Sequence, residues 1–466
     1  MNRMIKHSRA AKATRSVLST VAVLVLTGMA QAGWHDTTDT VTIANVKATP
    51  RDDKTATLSF DLSWGRSFRH ELNHDAVWVF FKVKPEGPST GLGTGAADPS
   101  TSLGAGWRHV RLVADKVLNP TGYTQGNGTP VEFLVPDGEE GFLGVFIRRA
   151  EFGQGTVIAT NLTVVCDLTA KELQPAPPLI CATGIEMVYI PKGSFLLGLD
   201  AADADAFFQY VDASSEGEPY RVTGPGAIPT GKQKGKLWSA GTAAPLEDGG
   251  EIPAAYPKGY AAFYCMKTMV KRGHYGNFLI TIPEAESQKY TPPDAKHEYT
   301  MPANMPAGNL TFQKGGRKEG YEHLRHEEDD SRWPLVAAFA AWAGLRPMTE
   351  MEYEKFSRGP IDEGWETGNH GISHNSYWGA YDANRWKSAS ERVVTAGNDK
   401  GRSFKGTHGN GTTVIPADWP QDDAVGVGTR GGHEYRNPSC RSAAAELVVR
   451  GPKWRGVRNA PKEAGQ

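Results

Sequence analysis

Residues 345–359, LRPMTEMEYEKFSRG, constrain the local chain more tightly than any other stretch of the sequence. Thr349 followed three positions later by Glu352 has the spacing of a capping box, in which the hydroxyl accepts from a first-turn N–H and the carboxylate reaches back to the cap. The pattern predicts a helix that starts after Thr349 and stops at Gly359, because Pro360 cannot continue it. Upstream, Pro334 suits a first helical turn, and Leu335, Val336, Phe339 and Trp342 run at helical spacing to Gly344. Two short helices joined by a tight Leu-Arg-Pro connection follow. With 53 glycines and 12 tryptophans in 466 residues, they belong to a loop-rich chain with many aromatic anchors, not to a helical bundle.

The front of the chain reads differently. Residues 55–64 and 76–84 alternate or run apolar over strand lengths. Further strands are expected at 107–113, 131–135, 142–149 and 157–165, separated by glycine- and proline-rich turns. Regular short strands of this kind argue for an antiparallel β-sandwich over residues 33–167. The proline-rich segment KELQPAPPLICAT then suits an extended linker, placed at 168–184, ahead of a second domain at 185–466. Within that domain, 214–250 is rich in glycine and serine and reads as a surface insertion.

Residues 1–32 carry a basic start (Arg3, Lys6, Arg9, Lys12, Arg15), an apolar run at 17–26 and a small-residue cleavage signal at Ala30-Gln31-Ala32. That order is the signature of a secretory signal peptide and predicts a secreted or periplasmic protein. The apolar run is short for a bilayer, so no stable membrane anchor is expected. A net charge of -1 gives no global reason to bind nucleic acid. Cys166, Cys181, Cys265 and Cys440 allow three disulfide pairings in an oxidising compartment, and equally allow four buried thiols.

Several ordered pieces resemble the formylglycine-generating enzyme, or sulfatase-modifying factor, family. The LRPMTE segment is similar to that family's arginine-leucine-proline-threonine-glutamate stretch. MVYIPKGSFLLG at 187–198 resembles its opening strand pair, residues 260–279 with FYCMKTMVKRGHYGNFL inside them resemble its first helix, and Arg430 to Gly432 with Gly456-Val457-Arg458 resembles its end. The resemblance implies an α+β architecture, with a C-type-lectin-like sulfatase-modifying-factor domain behind the sandwich.

Active members of the family oxidise a substrate cysteine with copper held by two thiolates, a soft donor pair suited to Cu(I). Matching Arg441-Ser442-Ala443 to the family's arginine-cysteine-alanine segment puts Ser442 and Asn437 at the thiolate positions, with Cys440 at neither. A two-residue shift would bring Cys440 to one of them, leaving Cys265 as a distant partner. Cys440 is therefore the catalytic candidate, and copper is not expected. The family's calcium stretch maps to Ser388 and Glu391, so calcium is admitted as a cofactor.

Aromatic residues and arginines crowd the last third of the sequence. Tyr377, Trp378, Tyr435, Arg436 and Arg441 are the candidate binding residues, with Tyr381, Trp419, Arg430 and Arg455 nearby in sequence. Other polar groups read as bland features. Arg69, His70, His74 and Asp75 read as a solvated loop, His323 and His326 as a solvated face beside acidic residues, and His408 as a turn. The expected function is an extracellular binding scaffold for a protein or glycan ligand. The alternatives are a working oxidoreductase of the resembled family and a cell-surface structural or adhesive component.

Overall fold

Strand alternation organises the front of the molecule. The strand β1 (Thr42–Pro50) pairs antiparallel with β2 (Ala56–Arg69), whose Leu58, Phe60, Leu62 and Trp64 point inward at every second position. In β3 (Asp75–Lys84) nine of ten residues are buried, because both faces of the strand are covered. Val77, Val79, Phe81 and Val83 face one core together with β2, whereas Ala76, Trp78 and Phe80 face a second core built by the back of the chain. The computed structural model describes residues 41–84, 106–114, 117–136, 142–174, 178–198, 206–213, 217–239, 246–290, 333–360, 375–381, 391–430, 441–442 and 454–461.

The remaining front strands are β4 (Arg108–His109), β5 (Asn127–Gly128), β6 (Val131–Leu134), β7 (Val145–Arg149) and β8 (Gly153–Cys166). One sheet has the order β1-β2-β8-β5. β9 (Leu179–Ile190) begins inside the segment read as linker and pairs with the whole of β3, from Asp75↔Val188 to Lys84↔Leu179. That pairing carries a large sheet across the join, so front and back share a continuous hydrogen-bonded layer. The described residues belong to one unit spanning 39–466.

Behind it lie β10 (Phe195–Leu197), β11 (Phe208–Gln209), β12 (Tyr220–Val222), β13 (Ile228–Pro229), β14 (Leu237–Trp238), β15 (Glu251–Ile252) and β16 (Phe263–Met266). The segment read as a surface insertion is partly core: Val222, Ile228, Leu237 and Leu246 are buried in the back cluster, so its short strand pairs are anchored by apolar side chains. The helices are α1 (Arg272–Thr281), α2 (Glu284–Tyr290), α3 (Trp333–Trp342), α4 (Glu350–Arg358) and α5 (Asp399–Arg402). The last strands are β17 (Arg346–Pro347), β18 (Glu391–Val394), β19 (Val427–Arg430), β20 (Arg441–Ser442) and β21 (Gly456–Asn459). The large sheet runs β17-β21-β16-β9-β3-β7-β6, with β4 beside β3, and β18-β19-β20 form a separate antiparallel ribbon. The protein is thus β-rich and antiparallel, with few helices. No helix among the described residues is long and apolar enough to cross a membrane.

The helix α3 is apolar nearly all round, and its residues from Val336 to Trp342 are buried. Its end is tied to the large sheet by Trp78, whose Nε1 donates to Ala343 O at 2.9 Å, and by Lys82, whose Nζ donates to Trp342 O at 2.8 Å. The helix α4 carries the expected capping box: Glu352 N donates to Thr349 Oγ1 at 3.1 Å and Thr349 N to Glu352 Oε2 at 3.0 Å. It ends at Gly359, whose φ of 69° is the left-handed geometry that glycine tolerates. Cys166, Cys181 and Cys265 are buried free thiols.

Candidate functional site

A cleft of about 780 Å³ opens where the end of β2 meets the segment 375–381. Lys267, one residue past β16, forms its floor. The Lys267 ammonium lies 2.7 Å from Glu186 Oε1 on β9 and 3.1 Å from Asp75 Oδ2 on β3, and it donates to Arg66 O at 3.1 Å. Phe68 and Tyr381 cover it, with ring centroids at 5.4 and 5.3 Å. Burial works against the Lys267 charge, but Glu186 and Asp75 outweigh it and raise its pKa. Burial, reinforced by Asp75, pushes the Glu186 carboxyl up to about 8. The ammonium thus sits between two buried carboxyl groups, Asp75 and Glu186.

This arrangement replaces the expectation of a solvated loop at 69–75. Asp75 is fully buried, accepting from Ser67 Oγ at 2.8 Å and from Phe68 N at 3.2 Å. His74 is buried too, with its Nε2 2.7 Å from Tyr264 Oη, and Arg69 reaches Glu132 at 3.1 Å. The β2–β3 turn folds back over the large sheet, so its polar groups find partners in the protein. His70 remains exposed at the cleft.

The opposite wall comes from 375–381. Tyr377 is 42% exposed, and its ring is seated against Gly359, where an added Cβ would stand 2.3 Å from Tyr377 Cδ1. Trp378 packs edge-on to it at 4.8 Å. Trp378 itself is mostly core: it is buried, and its Nε1 donates to Lys355 O at 2.8 Å. Asn73 Nδ2 donates to Trp378 O at 2.9 Å, which joins the two walls. Arg455 braces the floor from beneath, donating to Met266 O at 3.1 Å and Lys267 O at 2.9 Å.

Of the expected binding residues, Tyr377 and Trp378 meet in this cleft. Tyr435, Arg436, Cys440 and Ser388 lie outside the described residues, and Arg441 is placed only as a backbone position of β20 opposite Arg430. Two nearby arginines prove to be structural. Arg430 is fully buried against Glu354 and 3.7 Å from Glu350, and Arg455 is fully buried with its Nε 2.8 Å from Glu391 Oε1. Carboxylates projecting from α4 and β18 draw both guanidiniums inward. Glu391 was the calcium candidate, but a guanidinium on its carboxylate disfavours a second cation there. Among the described residues no cluster of three or more His, Cys, Asp or Glu side chains is arranged around a metal position.

The cleft residues missed in the sequence are Arg66, Asn73, Gln154, Lys267 and Asn375. They come from four separate stretches and share no spacing. One signal was present: Lys267 follows the apolar strand FYCM, and a lysine in such a setting needs a buried partner. Comparison with protein-family models, curated proteins and solved structures gives no significant match.

Proposed function

We propose that this chain is an exported binding scaffold: a β-sandwich followed by a sulfatase-modifying-factor-like domain of C-type-lectin-like fold that lacks the paired thiolates of a copper oxidase. The aromatic cleft between β2 and 375–381 is its ligand seat, and its partner is an extracellular protein or glycan. The observation that carries the reading is the exposed Tyr377 ring, held rigidly against Gly359 at the mouth of an open cleft that also presents Arg66 and His70. A fixed aromatic face is an economical recognition surface, since little side-chain freedom is lost on binding. Cys265 supports the absence of a distant thiolate pair. It is fully buried, and burial holds its thiol well above the ordinary range, which disfavours the nucleophilic, metal-binding form.

Retention of the mature chain on immobilised envelope protein and glycan fractions tests the proposal. The wild type is expected to be retained, with Tyr377→Ala reducing retention and Tyr377→Phe keeping it. Equal retention of both variants overturns the cleft as the seat.

A further inference from the structure

We propose that Lys267 and Asp75 condense into an intramolecular amide cross-link, with Glu186 as the catalyst that moves the proton. The reacting groups already touch: Lys267 Nζ stands 3.1 Å from Asp75 Oδ2 and 2.7 Å from Glu186 Oε1. The side chains of Lys267, Asp75 and Glu186 are 2%, 0% and 3% exposed, so the charges are held where water does not solvate them. Solvation of the ions is what keeps free amines and carboxylates apart. Fixing the two groups side by side in a dry site removes that barrier and the cost of bringing them together.

The two oxygens of Asp75 are sorted. Oδ1 accepts from Ser67 Oγ at 2.8 Å and from Phe68 N at 3.2 Å, whereas Oδ2 faces the lysine. Negative charge developing on Oδ1 as nitrogen adds to Cγ therefore meets two donors already in place, as in an oxyanion hole. Phe68 and Tyr381 lie over Nζ, with ring centroids at 5.4 and 5.3 Å, and shield the reacting atoms from bulk water.

The step balances without a co-reactant. Against burial, Glu186 and Asp75 raise the Lys267 pKa, yet proton transfer inside the trio removes the cation and the anion together. One proton passes from Nζ through Glu186 Oε1 to Asp75 Oδ2; burial, which pushes the Glu186 carboxyl up, suits it to taking a proton and returning it. The neutral amine adds to Cγ, a second proton follows to Oδ2, and the Cγ–Oδ2 bond breaks to release one water into the cleft. Nothing is oxidised or reduced, and Glu186 ends as it began.

The product fits the same surroundings. Oδ1 becomes the amide oxygen and keeps Ser67 and Phe68, the new N–H faces Glu186, and neither linked residue retains a charge. The linked positions are 192 residues apart, on β3 and just past β16, with β9 between them in the sheet. The bond ties the front of the chain to the back and restricts the unfolded state as a long-range disulfide does, in a protein whose Cys166, Cys181 and Cys265 are free thiols. Until it forms, substitutions in the trio act on the ion pair alone.

Intact-mass spectrometry of the denatured mature chain, followed by sequencing of a protease digest, tests the inference. The chain is expected to be one water lighter than its sequence, with a branched peptide joining residues 75 and 267. Lys267→Arg, which keeps the charge, and Glu186→Gln are each expected to show full mass and no branched peptide, with circular dichroism reporting the folded sheet. A wild type of full mass overturns the inference, and that result needs no variant to fold. A water loss confined to one linear peptide, as a cyclised aspartate gives, overturns it too. A branched peptide formed equally in Glu186→Gln overturns the role of Glu186 as catalyst.

Discussion

Arg346 holds Glu352 in a two-point fork, with Nη1 2.8 Å from Oε2 and Nη2 2.6 Å from Oε1, at the same carboxylate that caps α4. Both side chains are almost fully buried, and Asn459 Oδ1 receives a further guanidinium N–H at 2.8 Å. One carboxylate therefore starts a helix and ties it to β17 and β21. A lysine keeps the charge but cannot form the planar fork. Arg346→Lys is expected to cost about 2 kcal/mol and Glu352→Ala about 3–5 kcal/mol, the latter losing cap and pair together. Urea unfolding measures both, and a near-neutral Glu352→Ala would contradict the account.

The Lys267 trio makes a sharper prediction. Removing the ammonium leaves the Asp75 carboxylate buried without its cation, so Lys267→Met should destabilise by about 3–5 kcal/mol. Asp75→Asn should also be costly, because Asp75 serves Ser67, Phe68 and Lys267 at once. Glu186→Gln should cost less than Asp75→Asn, since burial already pushes the Glu186 carboxyl up toward its neutral form. Equal losses for Asp75→Asn and Glu186→Gln would rule out this distribution of charge.

Stability should climb as pH rises from 5 to 6.5. Burial, with Arg148 and Arg69 adding, holds His74 well below its usual pKa, and burial with Lys82 does the same for His109. These histidines stay neutral when folded and take protons when unfolded, so stability is lost as pH falls below about 6.5. Glu186 works in the opposite sense. Its folded pKa is raised, so the stability it contributes is full below about 4.5 and disappears as pH climbs to about 8. His274, pushed down to about 3 by burial, and the buried His408 add to them, so four histidines outweigh one carboxyl on the acid side, a net slope of about 4 kcal/mol per pH unit. Thermal midpoints across pH 5 to 6.5 should show this rise, and Glu186→Gln should steepen it, because the opposing slope of the carboxyl is removed.

Gly359 has no place in the cleft lining, yet it governs the platform. An alanine there meets a φ of 69° and a methyl 2.3 Å from Tyr377 Cδ1, so the ring must move. Gly359→Ala should lose about 2 kcal/mol of stability and also weaken ligand binding. A variant that loses stability while binding as tightly as the wild type would show that the Tyr377 position does not matter.

What could be read from the sequence was local. The Thr349–Glu352 box, the stop at Gly359 and the alternation in β2 each depend on neighbours a few residues apart, and each appears in the structure. The β3–β9 pairing joins residues 75–84 to 179–188 and begins beside a proline cluster that favoured a linker. Nothing in either strand names the other. Burial on both faces of β3 was visible as the unbroken run AVWVFF, but its second core comes from helices two hundred residues away. Tyr377 was legible as an aromatic binding candidate, though not as an exposed one. Arg66, Gln154 and Lys267 were not, because their convergence is a product of that long-range pairing.

The most direct measurement of the central claim is aldehyde formation on a cysteine-containing sulfatase peptide, incubated with the reduced mature chain, Cu(I) and oxygen. The scaffold account predicts no aldehyde above the rate seen without protein. Copper-dependent turnover that disappears in Cys440→Ser would contradict it and make the chain an oxidase.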